Sequence, residues 1–140
     1  MIFLNKDQFL RLLIELFSKY ESMITLHSAV ISELLAILKG AGVEGQFLSK
    51  LEAYLFNLSS SGDDAIQGKG APMEHLAGES PLCSMRFPFT SSNVRILFVY
   101  QEGHLYLLAA FYERAGKKKT SYSAHTPIAR QRLEELLKER

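Results

Sequence analysis

Cysteine occurs once, at Cys83, so no disulfide framework holds this chain together. Long apolar runs are also lacking. Arg11 and Glu15 interrupt the longest early stretch, and nothing approaches the ~18 residues that a membrane-spanning helix needs. The first residues carry neither a basic segment nor a small-residue cleavage motif, so a cytoplasmic location and no membrane partner are expected. His27, His75, His104 and His125 show no metal-ligand spacing, with each other or with Cys83, so no metal or other cofactor is expected. Gly68-Lys-Gly70 lacks the spacer, the Lys-Ser/Thr pair and the preceding strand of a phosphate-binding loop.

What is present is ordinary globular composition: 140 residues, 47% hydrophobic and 22% charged. That suffices for one domain with a real core and excludes a wholly disordered chain. The net charge of +1 conceals an asymmetry. Residues 1–80 hold six basic and ten acidic side chains, whereas residues 81–140 hold ten basic and five acidic ones. A basic second half points to an anionic partner, or to a lysine-rich loop kept for solubility.

The first half has helical periodicity. Phe9, Leu10, Leu12, Leu13, Leu16, Phe17 and Tyr20 form one apolar face over 6–20, with Asn5 and Gln8 placed as a capping box. A second helix is expected over 25–39, capped by Thr25 or Ser28 and stopped at Gly40-Ala-Gly42. A third fits 44–58, with Phe47, Leu48, Leu51, Tyr54, Leu55 and Leu58 on one side. These stripes are packing surfaces. A polar, glycine-rich stretch follows, and its length predicts a mobile insertion over 59–72.

The second half alternates as a sheet does. Leu82–Phe87 is a short strand in which Arg86 points opposite to Met85 and Phe87. Asn93–Tyr100 is β-branched and aromatic, with Val94, Ile96 and Phe98 on one face and Arg95, Leu97 and Val99 on the other. Gln101–His104 is a hairpin turn, with Gly103 available for positive φ, and Leu105–Tyr112 returns. A basic loop from Glu113 to Tyr122 leads to Thr126-Pro127, the expected cap and first residue of a last helix. The fold class is α+β: N-terminal helices on a small antiparallel sheet of three to four strands, with a C-terminal helix.

From Pro72 to about Leu137 the chain resembles the RelE/HigB superfamily of type II toxins, its phage-derived branch in particular. Met73-Glu-His-Leu76, Leu82-Cys-Ser-Met-Arg-Phe87, Asn93-Val-Arg-Ile-Leu-Phe98, Leu107-Leu-Ala-Ala-Phe111, Lys117-Lys-Lys-Thr120 and Thr126-Pro-Ile-Ala129 stand in the family's order. The resemblance implies one domain over 1–140, with a helical part over 1–58, an insertion over 59–72 and the sheet, basic loop and last helix over 73–140. It implies a toxin that cleaves mRNA without a metal, often on the ribosome, and is neutralised by a cognate helix-turn-helix antitoxin. In such chemistry a ribose 2′-OH attacks the adjacent phosphate. It needs a base, cations for the crowded phosphorane and an acid for the leaving oxygen. Carried onto this sequence, Arg86, Arg95, Tyr122 and His125 would be the catalytic groups. Arg114, Lys117, Lys118 and Lys119 would bind RNA phosphate. The competing expectation is a non-catalytic RNA- or protein-binding module on the same fold.

Overall fold

The computed structural model describes residues 4–139 apart from 40, 69, 90–92 and 114–117, with backbone alone at 118–120. Four helices and five strands follow in the order α1 (Lys6–Lys19), β1 (Ile24–Leu26), α2 (Ala29–Leu38), α3 (Glu44–Ser61), β2 (Met73–His75), β3 (Cys83–Pro88), β4 (Asn93–Gln101), β5 (His104–Tyr112) and α4 (Lys118–Lys138). The α+β class holds, but the sheet is larger than expected and mixed. Its order is β1-β5-β4-β3-β2, and β1 runs parallel to β5 while every other pair is antiparallel.

α1 forms as its sequence dictates. Asn5 accepts from the Gln8 N–H at 2.8 Å while the Gln8 side chain accepts from the Asn5 N–H at 3.0 Å, which satisfies two of the helix's orphan donors. α2 starts later than expected. Thr25 belongs to β1, and Ser28 stands at the N-cap position without a side-chain cap bond. α3 runs past the expected end to Ser61 and continues as a 3₁₀ turn, Gly62–Ala65. Within the expected insertion, Ile66 is buried in the core and Gln67 bridges to Glu74.

α1, α2 and α3 cover one face of the sheet. Their buried leucines meet Met85, Phe87, Val94, Ile96, Phe98, Leu105 and Leu107. Phe87 is the centre of an aromatic cluster, with its ring 4.5 Å from Phe47 and 5.1 Å from Tyr54, whose hydroxyl donates to the Arg86 carbonyl at 2.7 Å. Truncating a fully buried leucine here, Leu55 for instance, costs about 2–5 kcal/mol.

α4 covers the other face, over Leu82, Leu97, Val99, Tyr106, Leu108, Ala109 and Phe111. A bulge shifts the β4–β5 register, so that Leu97 opposes Ala109 while Phe98 opposes Leu107. Leu108 is the extra residue, and both Leu108 and Ala109 consequently lie toward α4. The hairpin turn places Glu102 (φ 52°) and Gly103 (φ 77°) in the left-handed region, the two-residue form that matches strand twist.

The last helix corrects the sequence reading. It begins at Lys118, eight residues before the expected cap, and carries Pro127 inside it. Pro127 removes one backbone donor from the ladder. The turns before it are held by side chains instead: Tyr122 is buried against the sheet, and His125 stacks on Phe111. Polar tethers fix the rest. Arg132 bonds Glu33 at 2.8 Å and the Leu108 carbonyl at 3.0 Å, His27 bonds Glu135 at 2.8 Å, and Arg130 reaches Glu79 at 3.4 Å. Among the described residues, no helix is long and apolar enough to cross a membrane.

Candidate active site

The sheet's own register assembles the candidate site on the α4 side. Arg86 pairs with Arg95, and Arg95 pairs with Phe111, so the three side chains stand in one row across β3, β4 and β5. The neighbouring row is Glu74, Ser84, Leu97 and Ala109. Alternation set Arg86 apart from Met85 and Phe87, and Arg95 apart from Val94, Ile96 and Phe98, as expected. Pairing set Arg86 and Arg95 directly opposite each other.

The two arginines differ in surroundings. Arg95 is 2% exposed, with Nη2 3.3 Å from Glu113 Oε2 and Nη1 donating to the Val94 carbonyl at 3.0 Å. Among the described residues, its Nε and the second oxygen of Glu113 are buried without a hydrogen-bond partner. Arg86 is half-buried, and its guanidinium has no ion pair among the described residues. Glu113 is held by its backbone, whose N–H donates to the Asn93 carbonyl at 2.8 Å across the end of the hairpin.

Tyr122 and His125 reach the same face from α4. The Tyr122 hydroxyl lies 2.9 Å from Ser84 Oγ, and its ring meets Phe111 edge-on at 5.3 Å. Burial pushes the Tyr122 phenol up, against the Ser84 hydrogen bond and the Arg95 charge, which pull it down. It is therefore a neutral phenol at pH 7. One turn on, the His125 ring lies 4.2 Å from Phe111 and nearly parallel to it, at 7°. His125 Nδ1 is 2.7 Å from the Ser121 carbonyl, which can only accept, so Nδ1 carries the proton. The neutral ring then has its lone pair on Nε2, the form a general base requires.

All four expected catalytic residues thus gather on one end of one sheet face. Lys118 and Lys119 open α4 about one turn before Tyr122, with side chains outside the described residues; Arg114 and Lys117 lie wholly outside them. Sequence reasoning missed Glu113, Ser84 and Phe111 as members. Glu113 had a visible signal, since only it and Glu102 interrupt eight basic residues between Arg86 and Arg132. Ser84 had none beyond sharing strand parity with Arg86, and Phe111 is aligned with Arg95 only by the β4–β5 register.

Two other polar groups lie elsewhere. Cys83 faces the helical core, 3.3 Å from His75 Nδ1, and its thiol is pushed up to about 12, by burial first and then by Asp63. It is no thiolate nucleophile at neutral pH. His104 lies 2.6 Å from Thr25 Oγ1 and joins β1 to the hairpin. Compared with known protein families, curated proteins and solved structures, the chain matches none.

Proposed function

We propose that this chain is a metal-independent endoribonuclease, the toxin of a type II toxin–antitoxin pair of RelE/HigB type. It cleaves mRNA in the cytoplasm, and a cognate helix-turn-helix antitoxin restrains it. The observation that supports the reading is the clustering of Arg86, Arg95, Tyr122 and His125 on one end of one sheet face. Nε2 of His125 takes the 2′-OH proton, and the 2′ oxygen then attacks phosphorus. Arg86, with the lysines that begin α4, balances the charge gathering on the phosphate oxygens. Neutral Tyr122 gives its proton to the departing 5′ oxygen. The products are a 2′,3′-cyclic phosphate and a 5′-hydroxyl. Arg95, beside Arg86 in the same row, is engaged with Glu113 and positions the row.

A second reading rests on that same engagement. Arg95 is neutralised by Glu113 and covered by α4, which suits a module that binds RNA or protein without cutting it. Purified protein incubated with end-labelled RNA in EDTA separates the two. The proposal expects discrete cuts ending in cyclic phosphate, lost in Arg86→Ala and His125→Ala. RNA that is bound but intact would establish the second reading in its place.

A further inference from the structure

On the face of the molecule away from this site, the start of α1, the end of α2 and the start of α3 enclose a cleft of about 320 Å³. Leu4, Phe9, Leu35 and Leu38 wall it, and the exposed Lys6 and Lys39 border it. The cleft also takes in Glu44, which is only 7% exposed. Glu44 Oε1 is buried with no hydrogen-bond partner, and no ion pair reaches the carboxylate among the described residues. Its place in the first turn of α3 offers it the favourable end of the helix dipole, which is weaker than a direct partner. A carboxylate mostly withdrawn from water beside an apolar cavity, with one oxygen buried and unpartnered among the described residues, is a cost that folding alone does not explain.

We propose that this cleft is a binding site for a small ω-amino acid. The ligand's ammonium lodges on the Glu44 carboxylate. Its methylenes replace water against Leu4, Phe9, Leu35 and Leu38, and its carboxylate meets Lys6 and Lys39. The volume sits at the lower end of the ~300–1,000 Å³ typical of small-ligand pockets, which favours a free metabolite-sized molecule over a docked protein segment. Exclusion of water from the apolar walls strengthens the ammonium–carboxylate attraction.

Titration of the full-length chain with 6-aminohexanoate, followed by calorimetry and by amide chemical shifts, tests the site. The proposal expects saturable binding, at least tenfold weaker with n-hexanoate, which lacks the ammonium, and with n-hexylammonium, which lacks the carboxylate. Glu44→Gln weakens 6-aminohexanoate binding tenfold or more with its melting transition retained. Lys6→Ser/Lys39→Ser abolishes the preference over n-hexylammonium. Should Glu44→Gln fail to fold, the ranking of the three probes on the unaltered chain decides. Absence of saturable binding, or equal binding of n-hexanoate, would overturn the proposal. Neither result depends on whether the chain cleaves RNA.

Discussion

Arg95 Nη2 lies 3.3 Å from Glu113 Oε2, and both side chains are shut away from water between the sheet and α4. Removing one member strands the other as an uncompensated buried charge, which typically costs about 3–5 kcal/mol. Arg95→Ala should therefore lower the urea midpoint sharply. Arg95→Met combined with Glu113→Leu should recover most of the loss, because an apolar pair of similar volume needs no partner. An Arg95→Ala chain as stable as the parent would show that the pair is solvated. Any activity loss in Arg95→Ala has to be read beside its stability. Arg86→Ala, at a half-buried position, is the cleaner probe of phosphate contact.

Alkaline pH should destabilise the fold through Cys83 and Tyr122, both of whose protons are held more tightly in the folded chain. The Cys83 thiol rises from an ordinary 9.0 to about 12, and the Tyr122 phenol also rises, in both cases chiefly through burial. A raised folded-state pKa gives stability that is complete below the unfolded value and lost as pH climbs toward the folded one. Urea midpoints should thus fall between about pH 9 and 12. The decline should be shallower in Cys83→Ala, and shallower above pH 10 in Tyr122→Phe. Parallel slopes in parent and variants would disprove the assignment.

Pro127 distinguishes a helix that begins at Thr126 from one that runs through it. At the first helical position proline is welcome, whereas in an interior it costs about 3 kcal/mol relative to alanine. With α4 beginning at Lys118, Pro127→Ala should raise the melting temperature and the helical circular dichroism. Unchanged or lower stability would restore the shorter helix.

Glu33 accepts from both the Ala110 N–H, at 3.1 Å, and Arg132 Nη1, at 2.8 Å. β1 pairs only with Leu105–Leu107, so the outer edge of β5 is finished beyond that point by these two side chains, from α2 and α4. Glu33→Ala should cost about 1–3 kcal/mol and speed hydrogen exchange at the Ala110 amide. Glu33→Gln, which keeps the acceptor, should preserve most of the protection. Equal exchange in all three chains would mean that the edge is closed by something else.

Much of this arrangement is legible in the sequence alone. The capping box of α1, the alternation that separates Val94, Ile96 and Phe98 from Arg95, Leu97 and Val99, and the Glu102-Gly103 turn all depend on neighbours in sequence. What escaped depends on distant partners. Ile24–Leu26 and Met73–His75 have three residues each, too few to show a period, and are strands only because β5 and β3 lie alongside. Leu105–Tyr112 is an unbroken apolar run, so nothing local marks Leu108 as the bulged residue. The first turns of α4 lack any apolar stripe and are stabilised by Ser84 and Phe111 on remote strands. For the site, residue types and the alternation within each strand were legible, whereas the shared face of Arg86 and Arg95, the Arg95–Glu113 pairing and the His125 tautomer required three-dimensional neighbours.

Induced expression of the chain alone in bacteria, following growth together with the integrity of a reporter mRNA, tests the ribonuclease reading most directly. A ribonuclease toxin gives rapid growth arrest with discrete cleavage sites, both abolished by His125→Ala and by Arg86→Ala at equal soluble expression. Normal growth with intact message, at good soluble yield of the unaltered chain, would contradict that reading.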